Sequence, residues 1–330
     1  MIRVGILGTG RMGTVHAKHY RAMPDVEISF CDRKPDRAHQ FLSQFEATQY
    51  PNPEKLIRSV DVVDLCLPTD AHLEYALMAI AEGKAVFVEK PIARTMEEAE
   101  QMIAAADQAG VPLMVGQVVR YFPEYERAHQ LVSQGAVGNV GAVRLSRGGP
   151  RPSGSDDWFM DLERSGGALL DVAIHDFDWL LWTLGPVQTV YSKSVAYSGA
   201  SDTDYALTTL TMASGAVAHV ESTWLDPQGF RTELEVCGSA GMFEHRSRDA
   251  AFLMTSTSAG VRYESPIAPT DDPYYRELRA FLEVVQSGGT PPVDGRAGAH
   301  ALQVSLGAIE SAKTGMPIDL EAWATAHSIA

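Results

Sequence analysis

Along the first third of the chain, short apolar runs alternate with stretches whose apolar residues recur every three or four positions. The runs at 2–7, 26–31, 62–67, 85–88 and 113–115 are too short for buried helices and are rich in β-branched residues. Apolar side chains on both faces of a strand predict a strand covered on both sides. The intervening stretches, near 11–22, 35–45, 71–82 and 96–109, carry helical spacing, with Gly83 and Gly110 placed to cap two of them. Strand and helix alternating at this length predict a parallel, doubly wound sheet with right-handed crossovers.

From about residue 121 the rhythm changes. A helical stretch near 124–134 and a strand near 142–147 lead into the loop GGPRPSGSDD at 148–157. The greasy segment LLDVAIHDFDWLLW at 169–182 follows and is stopped by Gly185-Pro186. Alternating strand-like runs come next at 187–196, 205–212, 217–223 and 232–237, separated by turns such as Ala213-Ser214-Gly215 and 238–241. Strands without intervening helices predict an α+β domain with a large open, mainly antiparallel sheet. Helical stretches near 273–285 and 298–312 close the chain, which divides into domains at 1–120 and 121–330.

Composition narrows the partners. A chain of 330 residues is long enough for two cores, and its net charge of −15 argues against nucleic acid or an anionic membrane surface. The three cysteines lie far apart with no metal-ligand spacing, and Cys31 and Cys66 fall in strands as small core residues. The opening MIRVGILGTG starts on a strand with no signal peptide ahead of it, and no apolar run reaches membrane-spanning length. A cytoplasmic protein is expected. His16, His19, His39 and His129 are read as helix-surface residues and His219 as a sheet residue, none with a role.

Chemistry first shows in Gly8-Thr9-Gly10-Arg11-Met12-Gly13, a G-x-G-x-x-G between a strand and a helix. The first glycine permits a tight turn, the second lets backbone approach a pyrophosphate, and the third packs helix on strand. The helix N-terminus adds N–H groups and the positive end of its dipole. Asp32, about twenty residues on at the end of the second strand, is spaced to bond the adenosine ribose, which favours NAD. Arg33 beside it leaves NADP open.

Two further features carry candidate catalytic groups. Glu89-Lys90-Pro91 ends a strand where doubly wound sheets bind ligands, so Lys90 can reach both a nicotinamide ribose and a substrate oxygen. Pro91 is a candidate cis residue. In the greasy segment, helical spacing puts Asp171, His175 and Asp178 within roughly 60° of one another and Asp176 well away. A carboxylate one turn from an imidazole orients it and raises its proton affinity. No clustered third or fourth ligand accompanies the pair, so no metal is expected.

Together these motifs resemble the glucose–fructose oxidoreductase and inositol dehydrogenase (Gfo/Idh/MocA) family. The resemblance runs through GTGRMG at 8–13, Cys66-Leu67-Pro68-Thr69 with His72, VEKPIARTMEEAE at 88–100, Gly-Gly-Ala-Leu-Leu-Asp-x-x-x-His at 166–175, and Thr314-Gly315. It implies a Rossmann domain followed by an open-sheet domain that makes a homodimer or homotetramer. It also implies catalytic roles for Lys90, Asp171 and His175, with Pro68, Thr69, His72, Glu89 and Gln117 toward the nicotinamide end of the cofactor. Arg120, Trp158 and Tyr274 are further candidates for the substrate pocket. The expected activity is NAD(P)-dependent oxidation of a secondary alcohol of a sugar, cyclitol or polyol. The rivals are an NAD-dependent glycoside hydrolase on the same fold and a nucleotide-sensing regulator.

Overall fold

The apolar runs of the first third pair in parallel around a dry centre. The computed structural model describes residues 1–152, 154–196, 204–226, 229–249, 253–265 and 272–327. In chain order the first elements are β1 (Ile2–Leu7), α1 (Arg11–Tyr20), β2 (Val26–Cys31), α2 (Pro35–Leu42), β3 (Thr48–Gln49), α3 (Pro53–Ser59) and β4 (Val62–Leu65). They are followed by α4 (His72–Ala81), β5 (Ala85–Glu89), α5 (Met96–Ala109) and β6 (Leu113–Gly116). The six strands lie in the order β3-β2-β1-β4-β5-β6, all parallel. Every residue of β4 and β5 is buried, as their nearly continuous apolar runs require. Thr95 and Glu98 form a reciprocal capping box at the start of α5, and Gly110 ends that helix in the left-handed region.

The second unit opens with α6 (Pro123–Ser133) and β7 (Val140–Gly148), then α7 (Leu162–Ser165), α8 (Gly167–Asp171) and α9 (Ile174–Leu184). Seven strands follow: β8 (Val187–Val195), β9 (Tyr205–Met212), β10 (Val217–Thr223), β11 (Arg231–Gly238), β12 (Gly241–Arg246), β13 (Leu253–Thr257) and β14 (Gly260–Glu264). They form a nine-stranded sheet ordered β14-β13-β12-β11-β7-β10-β9-β8-β15, where β15 is Ile318–Asp319. The sheet is mainly antiparallel, but β7 and β10 run parallel. Its core gathers Tyr125, Phe177, Trp179, Leu210 and Phe243, with the Trp179 indole donating to the Tyr125 carbonyl at 3.0 Å.

The end of the chain does not follow the linear division at residue 120. Helix α10 (Pro273–Ser287) belongs to the first compact unit, which comprises Met1–Val118 and Thr270–Ala299. Its amphipathic face explains the return: Leu278, Phe281 and Leu282 are buried, Phe281 lies 5.7 Å from Phe87, and Arg279 pairs with Asp25 at 2.8 Å. The second unit takes Val119–Pro269 and His300–Ala330. Helix α11 (Gly295–Thr314) starts in the first unit and continues into the second, and α12 (Leu320–His327) follows β15. No helix among the described residues is long and apolar enough to cross a membrane.

Candidate functional site

The glycine loop is as tight as its spacing predicts. Gly8 sits at φ +89, and a Cβ there would lie 2.6 Å from the Cys66 carbonyl oxygen. A Cβ on Gly13 would lie 2.1 Å from the Gly8 carbonyl oxygen, so only glycine lets α1 approach β1 this closely. Gly10 is the N-cap of α1, Arg11 and Met12 begin the helix, and no acidic side chain occupies its first turn. An anion is therefore the natural complement of those amides. Asp32 braces the same loop: its Oδ2 accepts from the Thr9 amide at 2.8 Å and the Thr9 hydroxyl at 2.7 Å, and its Oδ1 from the Lys34 amide at 2.8 Å. A carboxylate has lone pairs left after these bonds for a ribose hydroxyl. Arg33 is exposed beside it.

The loops after β4, β5 and β6 lie along the same edge, since parallel strands end on one side of the sheet. Pro68 leads a 3₁₀ turn over Thr69–Ala71, with Thr69 buried. His72 does not present its ring to a ligand. It is fully enclosed, with Nδ1 3.0 Å from the Pro91 carbonyl and Nε2 3.0 Å from the Leu67 carbonyl, and burial pulls its pKa down. Its side chain staples the Pro68 loop to the turn after β5. In that turn the Lys90–Pro91 peptide is cis, and the Lys90 amide donates to Glu89 Oε2 at 3.1 Å. Gln117, just past β6, is fully buried with neither end of its amide hydrogen-bonded within the protein. A buried primary amide lacking both donor and acceptor partners costs several kcal/mol, about 2–7 on transfer scales, unless a ligand meets it. The cradle, the helix N-terminus, Asp32 and this orphan amide all fit a dinucleotide.

Two residues of this unit were misplaced by the linear pattern. His16 and His19 are buried and not on the helix surface. His16 Nε2 lies 3.0 Å from Glu89, and Tyr274 of α10 stacks on His19 and faces His16 at 6.3 Å. Burial, then the nearby Glu89 and Glu277, push the Tyr274 phenol up to about 12. Cys66 is half-buried against the His16 ring, 3.3 Å from Nδ1, where a small core residue had been expected.

In the second unit the greasy segment is not one continuous helix. The Ala173 amide reaches back five residues to the Ala168 carbonyl, a widened turn between α8 and α9. That turn breaks the expected single stripe. Asp178 is 1% exposed and grips Arg120 with both oxygens, at 2.6 and 2.7 Å. Asp176 is likewise sealed against Arg147, at 2.7 Å. Burial raises both carboxyls, and the facing guanidinium opposes the rise in each case. Asp171 and His175 instead stay half-buried. Gly166 and Gly167, both left-handed at φ +72 and +67, let the chain turn straight into α8 and so place Asp171.

Arg120, an expected substrate contact, thus has its guanidinium engaged by Asp178, stacked 5.5 Å over the Trp182 ring. Trp158 is half-buried in a 3₁₀ turn at Ser155–Met160, 4.1 Å from the Phe159 ring. Phe159 in turn meets Trp224 edge-on at 6.4 Å, and the Trp224 indole donates to Asp171 Oδ2 at 3.1 Å. Trp224 escaped the sequence reading because it lies at the end of β10, far from any motif. An aromatic closing a strand carries no signal of the acid it serves.

Comparison with known proteins agrees with this architecture. Residues 2–117 match the model of the "Oxidoreductase family, NAD-binding Rossmann fold", and residues 125–244 match the "GFO/IDH/MocA C-terminal domain". The myo-inositol 2-dehydrogenase of Thermotoga maritima is 28% identical over 97% of this chain and 99% of its own. The scyllo-inositol 2-dehydrogenase (NAD(+)) of Bacillus subtilis is 28% identical over 97% of this chain and 96% of its own. Among solved structures, GenD2 from gentamicin A biosynthesis, in complex with NAD, superposes with a TM-score of 0.86 at 25% identity, covering 96% of each chain. With an NAD-binding Rossmann sheet of order 3-2-1-4-5-6 and a large, mainly antiparallel second sheet, the chain belongs to the Gfo/Idh/MocA family of oxidoreductases.

Proposed function

We propose that this protein oxidises a secondary alcohol of a sugar, cyclitol or related polyol, with NAD as the hydride acceptor. The observation that carries the reading is the contrast within residues 171–178. Asp176 and Asp178 are sealed and neutralised by arginines, whereas Asp171 and His175 stay half-buried. A chain that buries two acids behind dedicated bases and keeps an acid and an imidazole accessible one turn apart is equipped to move a proton. The inositol dehydrogenases among its relatives support the substrate class.

Bound NAD supplies a hydride acceptor at the nicotinamide ring. The protein's part is to hold the alcohol and take its proton. His175 accepts the hydroxyl proton as the carbon gives up its hydride, leaving a ketone and an imidazolium that returns its proton to solvent. Asp171, oriented by the Trp224 indole, fixes the imidazole and favours its charged form. Lys90 holds the substrate oxygen and stabilises the negative charge that develops there. Gln117 offers its unpartnered amide to the nicotinamide end of the cofactor, and Asp32 its carboxylate to the adenosine ribose.

We assign the outward face of the nine-stranded sheet to self-association with a second copy. That face carries Leu207, 45% exposed, amid opposed charges: Arg144 and Arg246 alternate with Glu221, Glu233, Glu235 and Glu244, a set a two-fold contact can complement with itself. Light scattering that shows only monomer would remove this assignment. The cytoplasmic reading rests on three free cysteines, which suit a reducing compartment.

The central test is a panel of sugars and inositols deuterated at the carbinol carbon, offered with NAD. Transfer of deuterium to the cofactor from at least one polyol is expected. His175→Ala should lower kcat by about 10²–10⁴-fold while the NAD dissociation constant holds. No transfer from any member of the panel, or full kcat in His175→Ala, overturns the reading.

A further inference from the structure

The first unit buries a set of ionisable groups beneath its glycine loop that its apolar strand pattern gives no reason for. His16 of α1 is fully enclosed. Its Nδ1 lies 2.8 Å from Asp64 Oδ2 and its Nε2 3.0 Å from Glu89 Oε1. Asp64 stands inside β4, registered between Ile6 of β1 and Phe87 of β5. Rings close the ring nitrogens off from solvent: Phe87 at 5.5 Å, Tyr274 at 6.3 Å and Tyr20 at 6.5 Å. The other titratable neighbours are Cys66 after β4 and His19 on α1, and Glu277 of α10 acts on the Tyr20 and Tyr274 phenols.

A neutral imidazole carries one N–H. Placed between two carboxylates, it would satisfy one and turn a lone pair toward the other in a dry interior, where an unanswered charge is very costly. A doubly protonated ring donates to Asp64 and sets its positive charge 3.0 Å from Glu89. Burial works against that charge, yet the Asp64 carboxylate holds His16 well above the ordinary histidine range. His72, equally buried but facing only backbone carbonyls, goes the other way.

The contacts continue past the carboxylate. Glu89 Oε2 accepts from the Lys90 amide, so one chain of contacts runs from Asp64 through His16 and Glu89 to the backbone of Lys90. His16 itself rides on the helix that opens at the glycine loop. We propose that His16 is a positioning residue: as an imidazolium clamped between Asp64 and Glu89, it fixes the Glu89–Lys90 turn against the glycine-loop helix. It thereby sets where Lys90 stands relative to the cofactor. This rests on the role given to Lys90 above, and it adds a group that never touches substrate.

Two measurements test it on the full-length protein. With ¹⁵N-histidine labelling, both ring nitrogens of His16 should remain protonated at pH 8, where exposed histidines are neutral. Asp64→Asn or Glu89→Gln should release one of those protons. An unprotonated ring nitrogen in the wild type at pH 7 overturns the proposal. So does one bound metal ion per chain, because the donor atoms of His16, Asp64 and Cys66 lie within 4.8 Å of one another. In kinetics, His16→Asn should lower kcat by about 10–100-fold, the scale of a roughly 1 Å misplacement, with little change in NAD affinity. Loss of rate in Lys90→Met with wild-type kcat in a folded His16→Asn overturns this proposal alone. Wild-type kcat in Lys90→Met overturns the assignment of Lys90, and with it the rate effect expected for His16.

Discussion

The Arg147–Asp176 pair gives the sharpest stability prediction. Arg147 of β7 is 2% exposed and Asp176 of α9 is fully buried. Two guanidinium nitrogens reach the carboxylate, Nη2 at 2.7 Å and Nε at 3.1 Å, and the guanidinium carbon lies 5.3 Å over the Tyr125 ring. Arg147→Met keeps most of the apolar stem and removes the charge, leaving Asp176 ionised with nothing to answer it. Breaking a buried pair from one side costs about 3–5 kcal/mol. Set against a typical stability of about 5–15 kcal/mol, that is about a fifth or more of the whole, or about 10²–10³·⁵ in the folding constant.

Replacing both partners, as in Arg147→Met with Asp176→Leu, should recover most of this loss, because the apolar pair leaves no buried charge. The single variant should also be pH-dependent. Without its guanidinium, the buried Asp176 carboxyl is pushed above its unfolded value. The variant's deficit is therefore absent at pH values below the ordinary carboxylate pKa and grows as pH rises through the raised one. All five tryptophans lie in the second unit, so urea unfolding followed by tryptophan fluorescence isolates the affected part. A single variant within about 1 kcal/mol of wild type at neutral pH, or a double variant worse than the single, would refute the reasoning.

Gly13→Ala should weaken NAD binding by about tenfold to a hundredfold, since its Cβ must displace the Gly8 carbonyl from 2.1 Å; calorimetric titration would show it, with the tryptophan unfolding transition unmoved. Asp32→Ser should shift the ratio of kcat/KM for NADP over NAD upward by about tenfold or more, read from steady-state rates with both cofactors, because the carboxylate that repels a 2′-phosphate is gone. Trp224→Phe removes the indole donor to Asp171 and should lower kcat by about tenfold with NAD affinity intact; an unchanged rate would detach Trp224 from the site. The stabilisation from charged His16 is complete below about pH 6.5, the unfolded histidine value, and is lost as pH rises through its elevated folded pKa. Thermal unfolding of the first unit should accordingly soften at alkaline pH, and His16→Asn should flatten that decline.

The parallel sheet was legible because β4 and β5 are buried on both faces, so that all their residues but Asp64 and Glu89 are apolar. The glycine loop was legible because sterics at Gly8 and Gly13 admit no other residue. Elements that failed to show lie where burial makes no such demand. Strand β3 is two exposed residues, and β14 is exposed along nearly its whole length, so burial constrains neither. The parallel pairing of β7 with β10 also left no trace, since alternation along a strand is the same whichever way its neighbour runs. Helix α10 shows an apolar face in the sequence, but the face does not say which core receives it.

The acids carried more information than the linear reading drew from them. Asp64 interrupts a strand whose other residues are wholly buried, so a base had to be buried with it, and His16 in the middle of α1 is that base. The same demand holds for Asp176 and Asp178, met by Arg147 and Arg120 from β7 and from the turn before α6. The pattern thus announces that a partner exists but not which residue it is, because the partner's address is set by topology. What separates Asp171 from these three is its exposure and the neutral indole among its partners. A guanidinium cancels a carboxylate's charge as it orients the group. An indole N–H orients the carboxylate without adding a charge of its own, in keeping with the role proposed above for Asp171.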